Sequence, residues 1–340
     1  MSNWYLQNGK DSDVVVSTRV RLARNIKGFK FENRCTSEDR KNILAKIEAI
    51  IPNLGYGLKL LKLKDMDDLT KLSLVEKNII SPDFAISKDE NSAILINNEE
   101  NICIMINEED HLRLQVFSEG IAIKELMNLA IEIDQKLERL ITYAYNNKYG
   151  YLTACPTNVG TGVRISVMVH LPGLAKTGNI NKVLRIVNKF GMSVRGVYGE
   201  GSKSVGDMYQ ISNNQTLGIT EKEIAKNIET ITEKVIEQER ITRQYLGEDQ
   251  IAFEDKIYRS FGILENARLL TSNECIDLLS DVKLGTDMGV IKELNDAKVK
   301  KLLLYTKPGN LQKYFGKAMS EDQMDAKRAE IVRKISNSES

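Results

Sequence analysis

Val163-Arg164-Ile165-Ser166-Val167-Met168-Val169-His170-Leu171 alternates from end to end, with Val163, Ile165, Val167, Val169 and Leu171 on one face and Arg164, Ser166, Met168 and His170 on the other. A period of two marks a strand that lays one face on a core. An arginine projects from the opposite face. The pattern recurs between Val14 and Leu22, where Val14, Val16, Thr18, Val20 and Leu22 share one face while Ser17, Arg19 and Arg21 share the other. Clean alternation of this kind belongs to antiparallel sheets; strands of a parallel sheet are buried on both sides and read as unbroken apolar runs.

Working outward, the short runs Ala93 to Ile96 and Ile102 to Ile106 read as neighbouring strands, and the second leads straight into Asn107, Glu108, Glu109 and Asp110. Helical spacing appears between them. One helix is expected from Thr36 or Ser37, with Ile43, Ile47 and Ile50 inward, stopping before Pro52. A long one is expected from about Ser118 to Tyr143, with Leu126, Ala130, Ile133, Leu137 and Leu140 on one stripe. Asn179 to Phe190 forms another, closed by Gly191, and a glycine-rich turn runs from Arg195 to Gly206. Thr220 and Glu223 make a capping box for a helix reaching Leu246, with Ile224, Ile228, Ile231 and Val235 inside. Gly247 to Gln250 is the expected boundary between a unit at 1–248 and a mostly helical one at 249–340, where Thr271/Glu274 and Ser320/Gln323 repeat the capping pattern. Strands with alternating faces among long helices indicate the α+β class.

Bulk properties narrow the chemistry. At 340 residues the chain can bury a large core plus a smaller one. Lys+Arg 48 against Asp+Glu 47 leaves a net charge of +1, so no global field favours nucleic acid or an anionic membrane. The start, MSNWYLQNGK, lacks an apolar signal segment and no run suits a membrane span, which leads to the expectation of a cytoplasmic protein. Cys35, Cys103, Cys155 and Cys275 are scattered and suggest neither a zinc site nor a disulfide framework. The two histidines, His111 and His170, fall in no metal-ligand spacing, so acid–base work is assigned to carboxylates and no protein-held metal is expected.

Five segments carry chemistry: S-T-R-V-R (17–21), N-E-E-D-H-L-R (107–113), C-P-T-N-V-G-T-G-V-R (155–164), R-G-V-Y-G-E-G (195–201) and M-D-A-K-R-A (324–329). Singly, each has an ordinary reading: arginines on a wet strand face, acids in a solvated turn, Cys155 as a small buried hydrophobe. Gly199 to Ser204 lacks the G-K-[ST] ending of a P-loop, and Gly160 and Gly162 lack the βαβ setting of a dinucleotide fingerprint.

Together, from about Val14 to Leu246, the segments resemble the catalytic domain of the phosphagen (guanidino) kinases, and within them the bacterial protein arginine kinases. The resemblance implies a large antiparallel sheet flanked by helices, with ATP and Mg²⁺ as cofactors. It places Arg19, Arg21, Arg113, Arg164 and Arg195 around the nucleotide phosphates. Ser17, Thr18, Val20, Ile165, Ser166, Val167, Met168, Gly196, Val197, Tyr198, Gly199 and Glu200 complete the implied nucleotide contacts. Guanidinium forks suit this task because they stay charged and bond phosphate oxygens bidentately. The resemblance gives Glu109 and Glu200 to the guanidinium acceptor, with Glu109, rather than its neighbour Glu108, as general base. A free guanidinium is a poor nucleophile, so it needs both orientation and proton removal. Cys155 is implied as an orienting thiol beside the acceptor.

S-T-R-V-R begins at residue 17, which leaves no room ahead of it for the helical domain that small-acceptor guanidino kinases carry. An acceptor side open to an arginine on another polypeptide is therefore expected. Past Gln250 the chain resembles the C-terminal domain of the protein arginine kinases; Asp325 and Arg328 match its phosphoarginine-binding motif, and Met324 stands where that motif has its leading arginine. Asn78 stands where a histidine is expected. The resemblance further implies a homodimer, a zinc-binding activator protein, a stress-response repressor as substrate and delivery of marked proteins to the Clp protease. Two other readings compete: a kinase for free arginine or a related metabolite, and a non-catalytic phosphoarginine-binding adaptor.

Overall fold

The computed structural model describes residues 4–196 and 204–337. Its strands are β1 (Val15–Arg24), β2 (Lys59–Lys62), β3 (Ala93–Ile96), β4 (Ile102–Ile106), β5 (Leu112–Glu119), β6 (Tyr145–Asn146), β7 (Gly150–Tyr151), β8 (Val163–His170), β9 (Met192–Gly196) and β10 (Met208–Asn213). Eight of them form one sheet in the order β2-β3-β4-β5-β1-β8-β10-β9, with antiparallel neighbours throughout; β6 and β7 pair separately. Helices α1 (Ser37–Leu54), α2 (Asp68–Glu76), α3 (Pro82–Ala85), α4 (Ile123–Leu140), α5 (Pro172–Lys176), α6 (Ile180–Lys189) and α7 (Glu221–Leu246) surround it. The rest is helical: α8 (Gln250–Asn266), α9 (Ser272–Asp287), α10 (Asp296–Tyr305), α11 (Pro308–Phe315) and α12 (Glu321–Ser336).

One face of the sheet is apolar and dry. Val20, Leu22, Leu114, Val116, Val163, Ile165, Val167 and Val169 are buried there with Leu126, Ala130, Ile133 and Leu137 of α4 and Ile224, Ile228 and Val235 of α7. β3 and β4 are buried on both sides, because a second cluster built from Trp4, Leu74, Ile79 and Phe84 covers Ile94, Ile96, Cys103 and Met105. That double cover explains why A-I-L-I and I-C-I-M-I show no alternation. From β5 across β1 to β9 the second face carries the arginines.

Three expectations need correction. A β-bulge between Val15 and Ser17 shifts the register, so Val14 and Val15 are both fully buried and Val16 only partly. α1 runs through Pro52 to Leu54; near a C-terminus a proline removes a single backbone bond, and the buried Leu54 side chain holds the last turn. The helix expected from Ser118 begins only at Ile123, because Leu112 to Glu119 is a strand paired on both sides, with β1 and with β4. Leu140, at that helix's end, is 42% exposed and leaves the inner stripe.

Helices α8 to α12 pack around their own core, which includes Ile257, Leu279, Val282, Val299 and Val332. They are clasped to the sheet unit: Glu76 accepts from the N–H groups of Gly309 (2.6 Å) and Asn310 (2.8 Å), and the Lys300 ammonium is bonded to Glu119.

Candidate active site

Antiparallel register turns scattered arginines into neighbours. Arg21 lies directly opposite Arg164 across β1 and β8, Arg19 lies opposite Ser166, and Arg113 projects from β5 on the same face. Arg195 joins from β9, opposite Gln210 of β10. Among the described residues no carboxylate forms a salt bridge with Arg19, Arg21 or Arg164; Arg19 donates to Gln210 (3.3 Å) and to the Asn78 carbonyl (3.4 Å), and Arg164 to Ser212 (3.2 Å).

The electrostatics follow from that crowding. Burial, then repulsion from Arg113 and Arg164, brings the Arg19 guanidinium down to about 10. Arg21 is pushed further below its ordinary value by burial, then by Arg19, Arg113 and Arg164. Arg164 is lowered by burial, then by Arg195 and Arg113, against the opposing pull of Cys155 and Glu109. Arg21 Nε, Arg164 Nε and Ser166 Oγ are buried and find no hydrogen-bond partner among the described residues. A positive cluster with unsatisfied donors is a polyanion site.

The acid turn closes one end of it. Arg113 holds both neighbours, Glu108 at 2.8 Å and Glu109 at 2.6 Å. They differ in freedom. Glu108 also accepts from Ser81 (2.7 Å) and its side chain is 9% exposed, whereas that of Glu109 is 41% exposed. Asp110 is fully buried and accepts from Asn25 (2.7 Å) and from the Ala154 N–H (2.7 Å), which ties the acid turn to the loop bearing Cys155. Cys155 precedes the short 3₁₀ turn Pro156–Asn158, with Sγ 3.0 Å from Thr157 Oγ1. The glycines that follow have steric causes: Gly160 has φ +111° and an added Cβ would lie 2.3 Å from the Thr216 carbonyl, while Gly162 has φ +64° and would meet Arg24 at 2.6 Å. A cavity of about 130 Å³ brings together Arg21, Arg113 and Arg164 with Glu109, Cys155, Thr157 and Asn158.

Residues 42–242 match the family model described as the ATP:guanido phosphotransferase C-terminal catalytic domain. The chain belongs to that family. Residues 250–339 match the protein-arginine kinase McsB C-terminal domain. Among relatives of this guanidino phosphotransferase, a protein-arginine kinase of Geobacillus kaustophilus is 44% identical over 98% of this chain and 93% of its own, and one of Bacillus subtilis is 41% identical over the same shares. Among solved structures, the duplicated taurocyamine kinase of Schistosoma mansoni with bound transition-state analogue components aligns with a TM-score of 0.63 at 27% identity, covering 76% of this chain and 39% of that one. A lombricine kinase aligns with a TM-score of 0.59 at 27% identity, covering 70% of this chain and 69% of its own.

Not every residue named from sequence faces this site. Thr18, Val20, Ile165 and Val167 are turned to the opposite side of the sheet and fully buried, with Thr18 donating to the Gly120 carbonyl (2.7 Å); they hold the arginine strands in register. Ser17, Ser166 and Met168 share the arginine face, and Gly196 ends β9. Val197, Tyr198, Gly199 and Glu200 lie outside the described residues. Arg328 is 1% exposed and donates to the carbonyls of Thr306 (2.8 Å) and Leu270 (2.6 Å) and to Asp325 (2.5 Å). In this structure Arg328 staples α12 to its neighbours through these bonds. Gln210 and Ser212 were missed; M-Y-Q-I-S-N (208–213) carries the alternation that could have found them.

Among the described residues no helix is long and apolar enough to cross a membrane.

Proposed function

We propose that this ATP-dependent guanidino phosphotransferase acts on arginine side chains of proteins, as the names of its relatives say of them. The observation that carries the chemistry is the small cavity in which three arginines meet an exposed glutamate and a thiol. In this reading Arg19, Arg21, Arg113, Arg164 and Arg195 bind the triphosphate, and their unpaired N–H groups become paired when phosphate arrives. Charge on the migrating phosphoryl group then meets donors already in place. Glu109, the freer of the two acids, receives the planar guanidinium, points one nitrogen in line at the γ-phosphorus and accepts its proton. Glu200 is proposed as its partner from the glycine-rich segment. Cys155 sits beside Arg164 and Glu109, where a thiol can orient the acceptor.

The donor set around the phosphates fits a Mg²⁺ ion that arrives on the nucleotide. It consists of N–H groups, and its two nearby carboxylates are both engaged by Arg113, so phosphate oxygens and water would supply most ligands. Bound there, Mg²⁺ would neutralise charge on the phosphates. Glu32, Cys35 and His111 also lie close together, but the Ile26 N–H bonds to His111 Nδ1 (3.0 Å), which puts the ring proton on Nε2, toward the Lys30 carbonyl (2.7 Å). That nitrogen is thereby withheld from a metal.

The cytoplasm is the proposed setting, in keeping with four free cysteines. A homodimer, a zinc-binding activator and hand-over to the Clp protease belong to the same reading through the family. The test is acceptor choice: with radiolabelled ATP, an unfolded arginine-containing protein should take up acid-labile phosphate and free arginine should not. Glu109→Gln should lower kcat about 10²- to 10⁴-fold with little change in the KM for ATP. Label appearing only on the free amino acid overturns the acceptor, and full activity in the variant overturns the base.

A further inference from the structure

A second, larger cavity opens beside the reaction pocket, about 780 Å³ in volume, and shares Glu109, Arg113 and Cys155 with it. Its remaining wall is acidic. Glu32, Asp83 and Asp89 line only this larger space, and with Glu108 and Glu109 they set five carboxylates against two guanidiniums. Those two are already engaged: Arg113 by the acid turn, Arg40 by Glu32 and by Asp89 (3.0 Å).

The wall also has unmet demand of one kind. Glu32 Oε2 and Asn107 Oδ1 are buried and find no partner among the described residues; their residues are 9% and 3% exposed. Asn107 Nδ2 donates to the carbonyls of Arg40 (3.0 Å) and Asn91 (2.9 Å), which fixes the amide orientation and leaves Oδ1 as the free atom. Both orphans are acceptors. A group that complements a negative wall with spare acceptors is a cation carrying several N–H donors and no acceptor, which describes an ammonium or a guanidinium.

The target arginine is assigned to Glu109, where the two cavities meet, which leaves Glu32, Asp83 and Asp89, lining only the larger one, for another cation. We propose that the large cavity is a subsite for a second basic side chain of the acceptor polypeptide, so that arginines with lysine or arginine close by in sequence are preferred. This rests on the protein-acceptor reading above and adds a selection rule to it. Acidic neighbours are disfavoured by the same wall.

The experiment uses the full-length enzyme, ATP and three peptides with one arginine each, identical except that the flanking positions are lysine, alanine or glutamate. Lysine is not an acceptor, so each peptide takes at most one phosphate. The lysine peptide should exceed the alanine peptide about tenfold in kcat/KM, the glutamate peptide should fall below it, and the gap should narrow at about 0.5 M salt. Asp83→Lys and Glu32→Gln should each draw the lysine-to-alanine ratio toward one, Asp83→Lys the further. Equal rates for the three peptides, or an unchanged ratio in both variants, would overturn the subsite and leave its acceptors to water. Phosphorylation of free arginine with none of any peptide would overturn the acceptor reading, and the subsite with it.

Discussion

Arg21 and Arg24 stand three residues apart on β1 and project from opposite faces of the sheet. Arg24, on the core side, has what a buried cation needs: Asp134 at 2.7 Å, the carbonyls of Ala23 (2.8 Å) and Thr161 (2.9 Å), and the Tyr151 ring 3.5 Å from its guanidinium carbon. Arg21, on the open side, has three other arginines for company and a buried Nε without a partner among the described residues. The first arrangement satisfies a charge within the fold. The second leaves it unsatisfied until an anion comes, at a cost the rest of the protein must carry. Arg243, held by Glu239 (2.7 Å) and Asp287 (3.3 Å), repeats the first pattern, and Arg164 repeats the second. Among the described residues the lack of a carboxylate partner, more than burial, separates Arg21 and Arg164 from Arg24 and Arg243; Arg113, held by Glu108 and Glu109, stands between the two kinds.

Substitution sharpens that contrast. Arg24→Met should cost about 3–5 kcal/mol of unfolding free energy, because it strands Asp134 as an uncompensated buried charge; chemical denaturation would show it as a lowered midpoint. Arg21→Met should instead cost about 10²- to 10³-fold in kcat while leaving thermal stability equal to or above that of the parent. It should also shrink the rise in Tm that ATP produces by binding the folded state. If Arg21→Met destabilised as much as Arg24→Met, the division between the two kinds of arginine would collapse.

The smallest effect concerns the two histidines, which the fold keeps neutral. Burial lowers the pKa of His111 and lowers that of His170 further, the latter helped by Arg243, Lys283 and Lys176. A lowered folded pKa means that, just below the unfolded value near 6.5, the unfolded chain takes up the proton first, so the histidines' contribution to stability should fall as pH drops through that point. Linkage limits each histidine to a slope of at most about 1.4 kcal/mol per pH unit, and His170, whose pKa is lowered the further, should contribute more than His111. Glu119, whose burial raises its pKa to about 7, works in the opposite direction, so the test is the difference between proteins. His170→Gln should lose less stability than the parent between pH 6.5 and 5 and the arginine variants should lose as much; an equal loss in His170→Gln and the parent would contradict it.

Much of the sheet was legible because alternation is written residue by residue: Val163 to Leu171 shows its buried face in the sequence and in the structure alike. The misreadings came where distant partners overruled local signals. Leu112 to Glu119 became a strand because β1 and β4 flank it, and the bulge at Val16 is a matter of pairing with β8. Pro52 marked a helix end that the buried Leu54 carried further. The choice between Glu108 and Glu109 could not come from residue type, since both are glutamates; exposure and the Ser81 hydroxyl distinguish them.

By itself, the order of amino acids determined the class of fold, the family and the kinds of side chain available: arginines on strand faces, acids at a strand end, glycines where the backbone crowds. Those are properties of short stretches, set by side-chain periodicity and backbone sterics. Only the tertiary structure decided which guanidiniums meet, which of them lacks a counter-charge and which oxygens are left without a donor. Register between strands far apart in the chain, together with the exclusion of water, sets those distances and energies, and neither is a local property of the chain.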